Sequence, residues 1–366
     1  MKTNRFKNLL LAAVLLGGAT AFYSCSKDDN NDPLPKDDAD QLIAQADGDF
    51  VSTSQVVMDN DGIKVLLQLS SLGLPEIPDK AARVNPGLMF KSSKQLDRSS
   101  VIALQSGISP ELAKAFQSII SYGITDYEGV WTWTPNGWSF EPSSAHSVVL
   151  KFPYPLENTT NNATLTLYDY QTTLIEDYEE ITALKAKVEL GSVTVLSLTY
   201  ASTYLPTQSF DLTAEFGGYK LSVSIDYSDS SSEIYSLSKL QISFKQGNTT
   251  LYALDLNLNV SMISETNTSV KLNATLIMNS LKFTATADFN TDDLDYETNP
   301  NVDLNEYISV KLYTTSDREI GHFSFVRNFE TGELTVKFIY ADGTEVNAEE
   351  LMPQISAFIQ SLLEEE

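Results

Sequence analysis

The residues best suited to bind a ligand lie in one short segment, VWTWTPNGWSF, which holds all three tryptophans of this 366-residue chain. Side chains of a β-strand alternate between two faces, so an Asn136-Gly137 turn is expected to place Trp133 opposite Phe140 and Trp138 opposite Pro135. The four aromatic side chains then share one face, where indole rings can stack on a sugar ring. The alternative is that this face is the buried side of a hairpin. The aromatic residues concerned are Trp131, Trp133, Trp138 and Phe140.

A second candidate site is the acidic segment DFNTDDLDYETNP, which is rich in the oxygen-bearing side chains that calcium prefers. It departs from an EF-hand loop, because its sixth position is Asp293 instead of glycine and its twelfth is Asn299 instead of glutamate. A weak calcium site and a solvated acidic loop are the two interpretations, and no other cofactor is expected. The candidate ligands are Asp288, Asn290, Asp292, Asp293 and Asp295.

Residue types used in catalysis are scarce in this chain. One Cys and two His exclude a disulfide framework and a Cys/His zinc cluster, and they leave little material for Ser-His-Asp chemistry. His146 and His322 stand in no motif and are interpreted as structural. A net charge of −25 argues against a nucleic-acid partner, because phosphate would be repelled. The composition therefore predicts a protein that is not an enzyme and does not bind nucleic acid.

Two β-hairpins can be predicted from their turns and from the alternation of apolar residues on either side. A Gly217-Gly218 loop pairs Phe216 with Tyr219 and continues so that every apolar residue of both strands lies on one face. An Asn279-Ser280 loop does the same for its two strands. The second register predicts these pairs: Met278 with Leu281, Leu276 with Phe283, Ala274 with Ala285, Leu272 with Ala287 and Val270 with Phe289. Long strands joined by short turns are typical of an antiparallel meander.

The fold class predicted is mainly β with some helix (α+β). A long antiparallel β-meander is expected to curl into an open barrel or a sandwich, with an N-terminal helical segment and a C-terminal amphipathic helix as covers. The clearest helix signal is Ser109-Pro110-Glu111, which predicts a helix over 110–122. The predicted organisation is a signal peptide at 1–24, an acidic tether at 25–38, a helical or irregular segment at 39–128, the meander at 129–345 and the C-terminal helix at 346–366.

The amino terminus has the pattern of a secretory signal. Lys2, Arg5 and Lys7 precede the apolar run Leu9 to Leu16, and small residues follow it. The single cysteine, Cys25, comes directly after this segment and behind a serine, where lipoprotein processing attaches diacylglycerol. Cleavage after Ala21, with Cys25 left as a free thiol, is the alternative.

The residues after the cysteine, Ser26, Lys27, Asp28 and Asp29, complete a pattern that resembles the lipoprotein signals of Bacteroidetes. In that group a loose lipobox is followed by a short acidic export motif. The resemblance covers only about the first thirty residues. It implies a lipid anchor on Cys25 and display on the outer face of the outer membrane.

Three functions are consistent with these features. The leading hypothesis is a surface-tethered, non-enzymatic protein that binds a hydrophobic ligand or an extracellular partner, with room for the ligand left by small residues on the apolar face. The first alternative is a glycan-binding lipoprotein that uses the tryptophan hairpin. The second is an adhesive or assembly subunit joined by strand exchange. The small residues are Ala214, Ala253, Ala274, Ala285 and Ala287.

We predict that Cys25→Ser releases the protein from the membrane, because acyl chains on that residue are the strong hydrophobic anchor that remains after signal cleavage. Incorporation of labelled palmitate and membrane fractionation measure the effect. Equal palmitate incorporation by wild type and variant would show that the lipid is not on Cys25.

Overall fold

Strands dominate the architecture. The computed structural model describes residues 32–72, 75, 124–175, 178–203, 208–230, 234–262, 267–294, 302–327 and 334–354. The strands are β1 (Gly129–Thr134), β2 (Gly137–Glu141), β3 (Val148–Phe152), β4 (Ala163–Ile175), β5 (Tyr178–Leu190), β6 (Val193–Thr203), β7 (Gln208–Phe216), β8 (Tyr219–Ser230), β9 (Ile234–Gln246), β10 (Thr249–Met262), β11 (Thr268–Met278), β12 (Leu281–Asn290), β13 (Ile308–Thr314), β14 (Glu319–Arg327), β15 (Leu334–Tyr340) and β16 (Glu345–Asn347).

All sixteen strands belong to one sheet, and from β3 onward each strand lies beside the next one in the chain. The exception is at one edge, where β1 pairs in parallel with β3 and β2 lies outermost. The sheet is not closed. The prediction of a mainly β, antiparallel meander is therefore confirmed.

The pairing of both predicted hairpins is also confirmed. The β7–β8 hairpin pairs Phe216 with Tyr219 and Ala214 with Leu221. The β11–β12 hairpin has every pair expected from its Asn279-Ser280 loop. Along β12, buried residues alternate strictly with half-buried or exposed ones. One face of the sheet is therefore apolar.

Helices are few among the described residues: α1 (Lys36–Met58), α2 (Asp61–Leu72), α3 (Ala348–Leu351) and two short 3-10 turns at Ile124–Tyr127 and Leu304–Glu306. None of them is both long enough and apolar enough to cross a membrane. The chain divides into two compact units. Unit 1 contains α1 up to Thr53, most of β9, β10 to β16 and α3; unit 2 contains the rest of α1, α2, β1 to β8 and both ends of β9.

In unit 1, α1 lies against the sheet through a stripe of small and apolar residues. Ala39, Ile43 and Ala46 follow one another at intervals of four and three residues, which places them on one side of the helix, and all three are buried. Phe50 continues the stripe and packs edge-on against Tyr252 of β10, with ring centroids 5.4 Å apart. The stripe supplies apolar cover for this part of the sheet.

Polar contacts fix the same helix at its start and middle. Asp40 accepts hydrogen bonds from Tyr340 of β15 and from Lys36, whose ammonium lies 4.6 Å from the centre of the Tyr340 ring. Burial alone would raise the pKa of Asp40, but the hydrogen bonds from Lys36 and Tyr340 outweigh it and the pKa is lowered. Asp47, only 2% exposed, accepts a hydrogen bond from the backbone nitrogen of Gln354 at 3.0 Å.

A third contact ties α1 to the middle strands of unit 1. The backbone oxygen of Asp49 accepts a hydrogen bond from the hydroxyl of Tyr252 at 3.3 Å, and its carboxylate accepts one from Asn279 at 3.3 Å. Together with the contacts above, α1 is bonded to strands as far apart in the sheet as β10 and β15.

In unit 2, α2 packs closely against β6. A Cβ atom on Gly62 would lie 2.6 Å from the backbone oxygen of Val195, so glycine is needed for this approach. Asn60 begins the helix by accepting a hydrogen bond from the Gly62 nitrogen at 2.9 Å, and Gln68 donates one to the backbone oxygen of Pro153. The buried apolar residues of α2 are Ile63, Val65, Leu66 and Leu69.

Two boundaries in the structure differ from the predicted ones. α1 begins at Lys36, inside the stretch predicted to be tether, because Ala39 already bonds back to Pro35. Strand β16 occupies Glu345–Asn347, so helix α3 begins at Ala348 and ends at Leu351, and helical backbone resumes at 353–354, the last described residues. The predicted helix at 110–122 and residues 355–366 lie outside the described residues.

We predict that Ala285→Asp lowers the free energy of unfolding by about 3 kcal/mol or more, because an unpaired carboxylate would face Ala274 and Val310 on the apolar side of the sheet. Thr286→Asp, one residue further along β12 and exposed, is the matched control and should change stability little. Denaturant unfolding measures both, and similar losses in the two variants would contradict the assigned faces.

Candidate functional site

The aromatic hairpin, β1 and β2, lies at one edge of the sheet. Trp133 pairs with Trp138 and Trp131 with Phe140, around a Pro135-Asn136 loop. The predicted Asn136-Gly137 turn is therefore wrong, because Gly137 belongs to β2 and the register is two residues from the expected one. A shift of two preserves the face, so the four aromatic side chains share one face as expected.

The four rings of this aromatic face differ in their exposure to solvent. Trp131 is 6% exposed and donates a hydrogen bond from its indole nitrogen to the backbone oxygen of Tyr127 at 2.9 Å. Trp133 and Trp138 are half-buried and pack edge to face, with ring centroids 5.3 Å apart. Phe140 is 50% exposed. The face is therefore neither wholly core nor wholly surface, since one ring anchors it and the others reach solvent.

The Phe140 side chain packs against Gly129. The Phe140 ring lies against the Gly129 backbone so closely that a Cβ atom there would be 2.5 Å from a ring carbon, and Gly129 has φ of 138°. The ring also packs on Trp131, with centroids 4.6 Å apart. The backbone of Gly129 is fixed in turn by a hydrogen bond to Ser147 at 3.0 Å. The exposed ring is thus held in place by its neighbours.

A polar cluster lies at the base of the hairpin. Glu128, which directly precedes Gly129, accepts hydrogen bonds at Oε1 from the hydroxyl of Tyr170 and from His146 Nδ1, the latter at 3.2 Å. The Glu128 side chain is 26% exposed and that of His146 is 90% exposed. Among the described residues, no hydrogen-bond partner reaches Glu128 Oε2. One carboxylate oxygen is therefore oriented by the protein.

An irregularity in β4 presents Tyr170 to this cluster. The pairing of β4 with β5 shifts between Tyr168 and Gln171, and Asp169 adopts a positive φ of 50°. A local bulge of this kind turns side chains away from the regular alternation of a strand. Tyr170 is half-buried and reaches Glu128 from there.

The hydrogen bonds from Tyr170, and secondarily from His146, lower the pKa of Glu128. They do so because both donors stabilise the carboxylate over the carboxylic acid. Glu128 is therefore protonated at a lower pH than a glutamate without these hydrogen bonds. The site combines an exposed apolar ring with a fixed anionic acceptor.

The acidic segment proposed for calcium is arranged differently. Asp288 forms an ion pair with Lys271 at 2.9 Å, and Asp293 accepts hydrogen bonds from the backbone and side-chain nitrogens of Asn290. Asp292 is exposed, and Asp295 lies outside the described residues. In the described part of the chain, no group of three or more His, Cys, Asp or Glu side chains is arranged to hold a metal ion.

The residues behind the other hypotheses are placed as follows. Ala214, Ala274, Ala285 and Ala287 are buried, and Ala253 is half-buried. Cys25 and the Ser26-Lys27-Asp28-Asp29 motif lie outside the described residues.

Sequence reasoning found the aromatic side of the site and missed the polar side. Glu128, His146 and Tyr170 are separated by 18 and 42 residues along the chain, and no motif links them. Known proteins give no parallel, since no protein-family model, curated protein or solved structure matches the chain. The function is therefore inferred from the geometry above and from general chemistry.

We predict that iodide quenches only part of the tryptophan fluorescence, because Trp131 is buried while Trp133 and Trp138 reach solvent. The quenchable part should disappear in the Trp133→Phe/Trp138→Phe double variant and persist in Trp131→Phe. Stern–Volmer plots measure it. A wild-type spectrum that iodide does not quench would show that the whole face is core.

Proposed function

We propose that this protein is a non-enzymatic, lipid-anchored binding protein of the cell surface that takes a neutral glycan at the aromatic hairpin. Two features of this hairpin carry the proposal: the half-exposed Phe140 ring, which packs on Gly129, and the carboxylate of the preceding residue, Glu128, which Tyr170 and His146 hold. Sugars present flat patches of C–H groups and rings of hydroxyls. A site for them needs an aromatic surface together with fixed hydrogen-bond acceptors.

The aromatic part supplies the apolar contact. Phe140 packs on both Gly129 and Trp131, so little side-chain entropy is lost when a ligand covers it. Trp133 and Trp138 extend the same face toward the loop, which is exposed at Pro135 and Asn136. Two rows of aromatic pairs give room for more than one sugar ring.

The polar part of the site supplies directional hydrogen bonds to the ligand. Glu128 Oε2 accepts hydrogen bonds from sugar hydroxyls, while Tyr170 and His146 hold Oε1 and keep the carboxylate charged. A hydrogen bond to an ionised acceptor is stronger than one between neutral groups. The exposed His146 ring offers a second polar group at the same place.

Charge decides between glycan classes. Glu128 is anionic, Glu141 lies next to Phe140 on the same strand, and the chain has a net charge of −25. Uronic acids and sulfated sugars would be repelled at such a surface, so neutral sugars are favoured.

Attachment to the outer membrane rests on the sequence. A lipid on Cys25 would place a non-spanning protein on the outer face of that membrane, where extracellular glycans are available. The strand-exchange hypothesis receives less support, because the edge strands β2 and β16 have only five and three residues, which offers little ladder for pairing.

We predict that Phe140→Ala weakens binding of a neutral oligosaccharide about three- to tenfold, since one aromatic contact contributes about 0.5–1.5 kcal/mol. Glu128→Gln should weaken it as well, through loss of the charged acceptor. Leu174→Ala removes a 73% exposed side chain outside the hairpin and is the control. Calorimetric titration against neutral and uronic-acid oligosaccharides measures the effect. Unchanged affinity in Phe140→Ala, or tighter binding of the acidic sugars, would rule out this site.

A further inference from the structure

The first described residues of the chain are bonded to one turn of unit 1. The backbone nitrogen of Leu34 donates to the backbone oxygen of Glu319 at 2.8 Å. The guanidinium of Arg318 donates to the backbone oxygens of Asp32 and Pro33 at 3.3 and 3.4 Å. Three hydrogen bonds thus hold the tether where it joins the β13–β14 turn.

This attachment is close in sequence to the proposed lipid. Asp32 is the seventh residue after Cys25. Seven residues span at most about 25 Å even when fully extended. The β13–β14 turn therefore stays within about 25 Å of the membrane surface, provided that Cys25 carries the lipid.

The same end of unit 1 carries two neighbouring turns. Thr315, in the β13–β14 turn, donates its backbone N–H to Ser280 in the β11–β12 turn at 2.9 Å. Ala341, in the β15–β16 turn, donates to Ile320 at the start of β14 at 3.0 Å. We name these three connections the turn end of unit 1. The opposite end of the same strands includes the 3-10 turn at Leu304–Glu306.

We infer that the turn end of unit 1 faces the membrane and that the opposite end, with Asp292 and Asp293 after β12, points away from it. This inference rests on the proposed lipid anchor. It adds a defined orientation, which an anchor on a free tether would not give.

The composition of the turn end fits a surface that faces lipid without entering it. Lys282 and Asp317 form an ion pair there, and Asp342 lies in the β15–β16 turn. The exposed large apolar residues described for this unit, Val326 and Leu334, lie at the opposite end. The lipid on Cys25 must then supply the insertion energy by itself.

Energy transfer to labelled lipid tests the orientation. Cys25 is the single cysteine, so in the lipidated full chain Thr315→Cys or Glu306→Cys provides a unique thiol for a donor dye. Both positions are exposed and lie at opposite ends of β13, whose seven residues span about 20 Å. With an acceptor on the vesicle headgroups, we expect about twofold stronger transfer from Thr315→Cys, because that dye lies about 20 Å closer to the surface.

A second form separates the orientation from the lipid. The mature chain with Cys25→Ser and a six-histidine tag before it is bound to nickel-chelating vesicles, which fixes the same position at the surface. Stronger transfer from Thr315→Cys in this form supports the orientation, even where the lipidated form fails to bind vesicles and the anchor proposal falls. Equal or reversed transfer overturns the orientation, whatever the lipidated form does.

A matched pair of substitutions tests the hydrogen bonds themselves. Arg318→Ala removes the donor to Asp32 and Pro33 and should reduce the difference between the two dye positions. Lys311→Ala removes an exposed positive charge in the middle of β13 and should leave it unchanged. A difference that is equally large in both variants would show that Arg318 does not hold the tether.

Discussion

An open sheet with one apolar face must be covered, and this requirement shapes the molecule. A closed barrel would bury that face within itself, whereas this sheet is not closed, and in the described part of the chain helices cover it. In unit 1 the stripe of Ala39, Ile43 and Ala46 lies in the core, and in unit 2 the buried residues of α2 do the same. Hydrogen bonds to Asp40, Asp47 and Asp49 then fix α1 at one place along the sheet, which apolar contact alone would not do.

Most of the sheet could be predicted because two independent signals agree. Alternation of apolar residues fixes the face of each strand, and a two-residue loop fixes its partner, so the β7–β8 and β11–β12 pairings have one solution. The tryptophan hairpin has two adjacent candidate loops, Pro135-Asn136 and Asn136-Gly137, and both keep the aromatic residues on one face. Alternation cannot choose between registers that differ by two.

The polar half of the candidate site and the docking of the helices were beyond sequence reasoning for a different reason. Tyr170 contacts Glu128 because β4 is irregular near Asp169, and no local sequence pattern predicts a bulge there. The Ala39–Ile43–Ala46 spacing is that of a helix, but the strands that receive this helix are set only by the completed sheet. The spacing of apolar residues within a helix does not show which distant strands will bury them.

Local pairing in the sheet and distant docking of α1 also imply an order of folding. Nearly every strand pairs with its neighbour in the chain, so most of the sheet has low contact order and can grow hairpin by hairpin. Helix α1 is different, because its bonds to Tyr252 and Tyr340 join residues 203 and 300 positions apart. The segment synthesised first among the described elements therefore reaches its last described partner, the backbone of Gln354, only after β15 and β16 have been synthesised. Until then its apolar stripe is exposed, and that interval is when a holding chaperone would matter most to this chain.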